Sequence, residues 1–288
     1  MAPQTADLSQ PTDTSELDPV LPLQANQPTA EIDTGADPRV RAARRITTLL
    51  TRARDNALGV LFPPICLHCD SPHGGAHHWL CPSCLDGLLA NARERRGCPR
   101  CSVNLEQREC TCDLVWDHPF ERIHSVVDYY DAVRTVMRYV KYRGMSKLAF
   151  DLGRRLGTTV PGGFWEGVDT VVPIPLHFVR RMRRGYNQAD FFARGVLSSA
   201  NAPAIAYYPS AIRRTRHTRT QTKLDRDQRR ANLAGAFQIT PRHADAITGK
   251  TVVLVDDVVT TGATTGTCTE ALLAAGASAV RVLSLARD

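Results

Sequence analysis

Two adjacent carboxylates, Asp256 and Asp257, follow the apolar run Val252-Val-Leu-Val255, and a Thr260-Thr-Gly262 turn comes just after them. An uninterrupted run of branched apolar residues predicts a strand buried on both faces. In open α/β sheets, ligands bind at the carboxyl ends of such strands. The backbone N–H groups of a Thr-Thr-Gly turn, together with the N-terminus of the helix expected from about Thr264 to Ala275, favour a phosphate. The threonine hydroxyls add donors, and Gly262 lets the backbone approach the oxygens closely. Carboxylates repel phosphate, so Asp256 and Asp257 suit hydroxyl donors or a cation. A sugar diol carried next to a phosphate satisfies both halves.

Other folds place acids after a strand and fit less well. A receiver domain carries its acidic pair near its start, whereas only 31 residues follow Asp257 here. A phosphate loop built on Gly249-Lys-Thr251 would need a glycine at Ala244, and its strand follows the GKT where it should precede it. A buried strand ending in a solvated turn explains the valines but leaves the Asp-Asp and Thr-Thr-Gly elements without a reason.

Cysteine supplies the second chemistry. Eight of the nine cysteines lie between Cys66 and Cys112. Cys66-x-x-Cys69 and Cys81-x-x-Cys84 are two tight knuckles able to place four thiolates tetrahedrally around zinc. Cys98-x-x-Cys101 with Cys110-x-Cys112 can form a second site, its last doublet one residue shorter, and ligands can also alternate between the doublets. His68, His77 and His78 are candidate substitutes that read better as solvated side chains. The region is polar with little core of its own, so metal would supply its folding energy. Cys268 lies on the helix after the turn and reads as core.

Positioning these groups requires a regular scaffold. The segment from Glu121 to Tyr130 predicts a strand, and Asp131 can cap a helix with the stripe Val133, Val136, Met137, Val140. Gly144 breaks that helix, and Ser146 can cap another through Leu148, Leu152 and Leu156. Asp169 to His177 reads as a short strand entering a proline-punctuated loop. Asn187 can cap a helix to about Ser199, and Ala204–Tyr208 reads as a strand. Thr251–Asp256 and Val280–Leu285 complete the set, with Gly276 suited to the C′ position of the intervening helix. Strands alternating with helices indicate an α/β domain with a largely parallel sheet.

Charge is divided unevenly along the chain. Residues 1–38 hold seven acids, six prolines and no Lys or Arg, and read as a disordered acidic tail. Residues 39–64 read as a basic amphipathic helix stopped by Pro63-Pro64, with Val40, Ala43, Ile46, Leu50, Ala53 and Ala57 on one face. The net charge of +7 therefore understates the rest of the chain, whose 36 Lys and Arg point to an anionic partner. No apolar run is long enough to span a membrane. The start MAPQTADLSQ has neither a basic nor an apolar segment of a signal peptide, so a cytoplasmic protein is expected.

The residues from Val252 to Thr264 resemble the signature of type I phosphoribosyltransferases. From Cys66 onward the chain resembles the ComF family, in its cysteine doublets, Tyr139-Val-Lys-Tyr-Arg-Gly144, Val172-Pro-Ile-Pro-Leu-His177, Arg183-Arg-Gly-Tyr-Asn-Gln188, the Arg216–Phe237 stretch and Val255-Asp-Asp-Val-Val-Thr-Thr-Gly262. The resemblance implies a zinc-ribbon module over 65–114 and, over 120–288, a domain with the sheet of type I phosphoribosyltransferases. It implies phosphoribosyl pyrophosphate, accompanied by magnesium, as the ligand. Asp256 and Asp257 would then hold the ribose hydroxyls, and Val258, Val259, Thr260, Thr261, Gly262, Ala263 and Thr264 would surround the 5-phosphate. Pro175 and His177 fall in the loop where relatives bind pyrophosphate. Lys141, Arg183 and Arg184 are cations expected near that diphosphate, and Gln221 lies in the basic stretch resembling a closing loop.

The family is linked to competence and DNA uptake. Two functions follow from the resemblance: a phosphoribosyltransferase, or a non-catalytic ribose-phosphate sensor that works with nucleic acid, single-stranded DNA being the candidate.

Overall fold

A computed structural model of the chain describes residues 63–74, 79–110, 112, 118–199, 205–215 and 235–288. The expected acidic tail, all but the end of the basic helix, His77, His78, Gln221 and most of the Arg216–Phe237 stretch lie outside the described residues.

The cysteine-rich segment contains helix α1 (Pro82–Glu94), with Pro82 at its start, where the absent N–H costs nothing. The α/β part then runs β1 (Arg122–Asp128), α2 (Asp131–Tyr142), α3 (Ser146–Leu156), α4 (Gly162–Trp165), β2 (Thr170–Pro173), α5 (Phe178–Arg184), α6 (Gln188–Ser199), β3 (Ala206–Tyr207), β4 (Ile212–Arg214), β5 (Phe237–Ile239), β6 (Thr251–Val259), α7 (Ala263–Ala274) and β7 (Ala279–Arg287). Five strands form one sheet in the order β1-β7-β6-β2-β3, every ladder parallel, while β4 and β5 pair antiparallel beside it. The expected α/β class with a largely parallel sheet is what the chain adopts.

The valine run explains the layering. Successive side chains of β6 point to opposite faces. Val253 and Val255 pack with Leu283, Leu285 and the buried stripes of α2, α3 and α6. Val252 and Leu254 pack on the other face with Cys268 and Leu272 of α7, Val282, and the β4–β5 pair. Both faces are covered, so all four residues are fully buried.

Two glycines let helix α6 lie close to α3. A Cβ on Gly153 would meet the Phe192 carbonyl at 2.3 Å, and one on Gly195 would meet the Phe150 carbonyl at 2.1 Å. This close crossing brings the N-terminal end of α6 to the carboxyl edge of the sheet. Helix α7 ends as expected: Gly276 takes a φ of 91°, its N–H bonds to Leu273, and that of Ala277 bonds to Leu272. This is the paired C-terminal motif that glycine at C′ makes possible.

Several local expectations shift. Asp131 and Ser146 are first helical residues, with Tyr130 and Met145 in the cap positions and no side-chain cap bond. The strand expected over Ala204–Tyr208 is confined to Ala206–Tyr207. Strand β6 continues past Asp256 to Val259, so both acids sit inside it, hydrogen-bonded to β7 on that side. The loop after β2 becomes helix α5, which buries none of its residues. No described helix is long and apolar enough to cross a membrane.

Candidate functional site

At the carboxyl edge of β2 and β6 lies a cavity of about 620 Å³. Its floor is the acid pair. Asp257 is 8% exposed, and the Lys141 ammonium, from the last turn of α2, sits 2.7 Å from its Oδ2. Gln188, at the start of α6, donates to the same oxygen at 3.3 Å, and Arg184 donates in turn to the Gln188 side-chain oxygen Oε1. Asn187 fixes this corner: its amide nitrogen donates to the Ile174 carbonyl at 2.9 Å, and its oxygen accepts from the Ala189 N–H, as the expected cap.

Adjacent in sequence, the two aspartates have opposite electrostatics. Burial raises the Asp257 pKa, but the Lys141 ion pair outweighs it and holds the carboxyl below its ordinary range. Burial works against the Lys141 ammonium as well, yet Asp257 and Asp256 together keep its pKa above the usual lysine value. Asp256, desolvated and facing the ionised Asp257, is pushed well above the ordinary carboxyl value. The ligand-free pair thus favours a single negative charge, the behaviour of two acids sharing one site. Perturbed neighbours of this kind, in a cleft, mark a candidate functional site.

Cations dominate the remaining walls. Arg180, Arg183 and Arg184 of α5 line the cavity. Arg214 of β4 lines it too, its guanidinium 5.3 Å from the centre of the Phe237 ring. With Lys141 these make five cationic side chains around two acids. Helix α5 is inverted relative to an ordinary surface helix: three of its four arginines line the cavity, while Phe178, Val179 and Met182 are exposed.

Among the residues expected from sequence, the cavity wall brings together Lys141, Pro175, Arg183, Arg184, Asp256, Asp257, Val258 and Thr264. Val259 points into the core at 2% exposure. Thr260 and Thr261 form the turn beyond it, and Gly262 takes a φ of 78° to start α7 at Ala263. Thr261 Oγ1 accepts from the Ala263 N–H at 3.4 Å. His177 does not line the cavity; it caps α5, its Nδ1 accepting from the Val179 N–H at 3.2 Å. Sequence reasoning missed Tyr142, Arg180, Gln188 and Arg214 as wall residues. Gln188 closes the Arg183–Gln188 motif and was within reach; Arg180 and Arg214 had no local signal, since neither α5 nor the β4–β5 pair was expected.

Away from the cavity, each cysteine quartet gathers its four Sγ atoms within 4.8 Å of one another. In the second quartet the short Cys110-x-Cys112 doublet fits: Cys110 Sγ is 3.2 Å from Cys98 and 2.7 Å from Cys112. All eight are free thiols. A hydrogen bond from the Ser83 hydroxyl depresses the Cys81 thiol to about 6, while burial pushes Cys84 and Cys112 up. Four sulfur donors at tetrahedral reach match zinc, and both quartets can hold such an ion.

No family model matches the chain. Among curated proteins it is 30% identical over 239 residues to DNA utilization protein YhgH of Salmonella typhimurium, an alignment covering 78% of this chain and 97% of that one. It is 26% identical over 228 residues to competence protein F of Haemophilus influenzae, covering 77% and 96%. With competence protein ComFC of Bacillus subtilis it shares 25% over 246 residues, covering 78% and 95%. The chain belongs to the ComF family. Nearly the whole length of each of these relatives is matched, 97%, 96% and 95%.

Proposed function

We propose that this ComF protein binds phosphoribosyl pyrophosphate at the carboxyl edge of its sheet and serves in cytoplasmic handling of DNA during uptake. One observation supports the ligand assignment: an acid pair and Thr264, in the first turn of α7, share a single cavity with five cationic side chains. A pentose diol answers the acids, its 5-phosphate answers the turn from Thr260 to Thr264, and a diphosphate answers Lys141, Arg183 and Arg184, with Arg180 beside them. Ligand hydroxyls donating to Asp256 favour its ionised form, so binding would release a proton. The names of the relatives, a DNA utilization protein and two competence proteins, support the DNA role.

Magnesium would arrive on the ligand's diphosphate oxygens and water, since Asp257 already holds Lys141. What it supplies is charge neutralisation of the diphosphate. The protein's own part is to orient the diol, hold the diphosphate with Lys141 and the α5 arginines, and keep water from C1. Zinc in the two quartets would be structural, all four positions of each being protein sulfur.

Calorimetric titration with phosphoribosyl pyrophosphate, with and without magnesium, tests the assignment. Saturable binding by the wild type is expected, together with its loss in the Asp256→Asn, Asp257→Asn double variant at unchanged circular dichroism. Equal affinity in the two proteins would overturn it. Pyrophosphate release on adding candidate nucleobase acceptors separates a transferase from a binding protein.

A further inference from the structure

The Thr260–Gly262 turn is braced from behind by the C-terminal strand. Arg287, the last residue of β7, donates from Nη1 to the carbonyl of Val259 at 3.0 Å and to that of Thr260. Its Nε donates to the carbonyl of Cys101 at 3.2 Å. One guanidinium thus joins the two peptide units that open the turn to a knuckle of the second cysteine quartet. Neighbouring contacts follow the same seam. The Asp288 N–H donates to the Val259 carbonyl at 3.0 Å, Arg108 Nη2 donates to the Asp288 carbonyl at 3.0 Å, and the Ile123 N–H donates to the Arg100 carbonyl at 2.8 Å.

The turn has little slack on its other side. A Cβ on Gly262 would come within 3.0 Å of the His118 ring, which stacks on Phe120 at 4.8 Å. At the quartet end, the Cys101 carbonyl is held by its own knuckle. Cys101 Sγ lies 3.5 Å from Cys110, and the Ser102 N–H donates to the Cys98 carbonyl at 2.9 Å. A guanidinium keeps its donors in one plane at fixed separations. A displaced Cys101 carbonyl therefore moves the turn, where a flexible ammonium would absorb the change.

We propose that Arg287 is a positioning residue through which metal occupancy of the Cys98, Cys101, Cys110 and Cys112 quartet sets the geometry, and so the phosphate affinity, of the Thr260–Gly262 turn. The affinity half rests on the reading of that turn as a phosphate site; the mechanical half does not. Loss of metal from the quartet frees the Cys101 knuckle, and Arg287 then either follows it or lets go of the turn. The α/β site thereby senses the state of a cluster that never touches its ligand.

The test uses the full-length zinc-loaded protein with Arg287→Ala, Arg287→Lys, Cys110→Ser and the Arg287→Ala, Cys110→Ser double variant. Hydrogen exchange at amides 260–266 and calorimetric affinity for phosphoribosyl pyrophosphate are measured on the same samples, with zinc content determined alongside. Arg287→Ala and Cys110→Ser should each speed exchange at the turn about ten-fold and weaken the ligand about ten-fold, with Arg287→Lys between. Amides of residues 66–70, in the first quartet, serve as the internal control and should not change. The double variant should be no worse than either single one, because both break the same link. Unchanged exchange at the turn in Arg287→Ala, which leaves every metal ligand intact, overturns the proposal, as do additive effects in the double variant. Should the wild type bind no phosphoribosyl pyrophosphate while turn exchange still follows Arg287 and zinc, the coupling stands and the ligand reading is what fails.

Discussion

The two cysteine quartets offer the same four sulfurs but are fastened to the protein in different ways. Around the first, Cys66 and Cys81 belong to the main core, packed with Leu80, Leu85 and Leu88 and continuous with the stripes of α2 and α3. Around the second, Cys98 and Cys112 share a small cluster with Val103, and the docking is polar. Arg95, 3% exposed in its side chain, pairs with Asp128 at 2.6 Å. Asn104 donates to the other Asp128 oxygen at 2.7 Å, and the Ser125 N–H donates to Ser102 Oγ at 2.9 Å. Apolar packing is non-directional and tolerates small shifts, whereas a buried hydrogen-bond network fixes relative position. The first quartet is thus built for stability, and the second is built to hold a defined place against β1, β7 and the Thr260–Gly262 turn.

The strongest way to break that contrast is Asp128→Ala. It leaves a buried guanidinium unpaired and an asparagine amide without its acceptor, at a cost of about 3–5 kcal/mol. Denaturant unfolding should show it, and a loss under about 1 kcal/mol would mean that the polar docking is not what holds the second quartet.

On the apolar side, Leu88→Ala on α1 removes a side chain that is 2% exposed. The expected loss is about 2–4 kcal/mol, with ligand affinity per folded molecule unchanged. A drop in affinity of the same size as that of the Arg287 variants would erase the distinction between the quartets.

The acid pair sharpens the comparison with the smallest effect, because neither aspartate bonds to either quartet. Asp256→Asn should stabilise the ligand-free protein by about 1 kcal/mol. The sign follows from the folded pKa of Asp256, raised well above its ordinary value of 3.8. Its contribution is most favourable below that value and is lost as pH rises through the folded pKa. The gain of the variant should therefore appear toward neutral pH and vanish in acid. Asp257 runs the other way: its depressed pKa contributes stability above 3.8 that is lost only as pH falls below it. Melting curves across pH would refute this if Asp256→Asn were equally or less stable at pH 7.

Much of the scaffold was legible because its signals are local. The run from Val252 to Val255 announces a strand covered on both faces, the stripe from Val133 to Val140 announces a helix, and Gly276 announces where α7 stops. The knuckle spacing announced the first quartet and left the pairing of the second open, which the structure resolves by gathering Cys98, Cys101, Cys110 and Cys112. Helix α5 shows where such reading ends. Its apolar residues Phe178, Val179 and Met182 face outward and three of its four arginines face a cavity, so the usual amphipathic pattern is reversed. Gln188 and Arg214 are wall residues for the same reason: the groups they meet, Asp257 and the Phe237 ring, lie 69 and 23 positions away.

By itself, the order of residues determined which chemistry the chain carries: the acid pair and its turn, the sulfur quartets, the alternation that makes a parallel sheet. These depend on neighbours within a few positions, where backbone geometry alone brings side chains together. Only the tertiary structure decided which of two identical-looking aspartates stays charged, since Lys141 reaches one and not the other from a different helix. It also decided that the last arginine of the chain ties a cysteine knuckle to the Thr260–Gly262 turn. Both follow from desolvated contacts between distant segments, which form once the sheet has fixed where each segment ends.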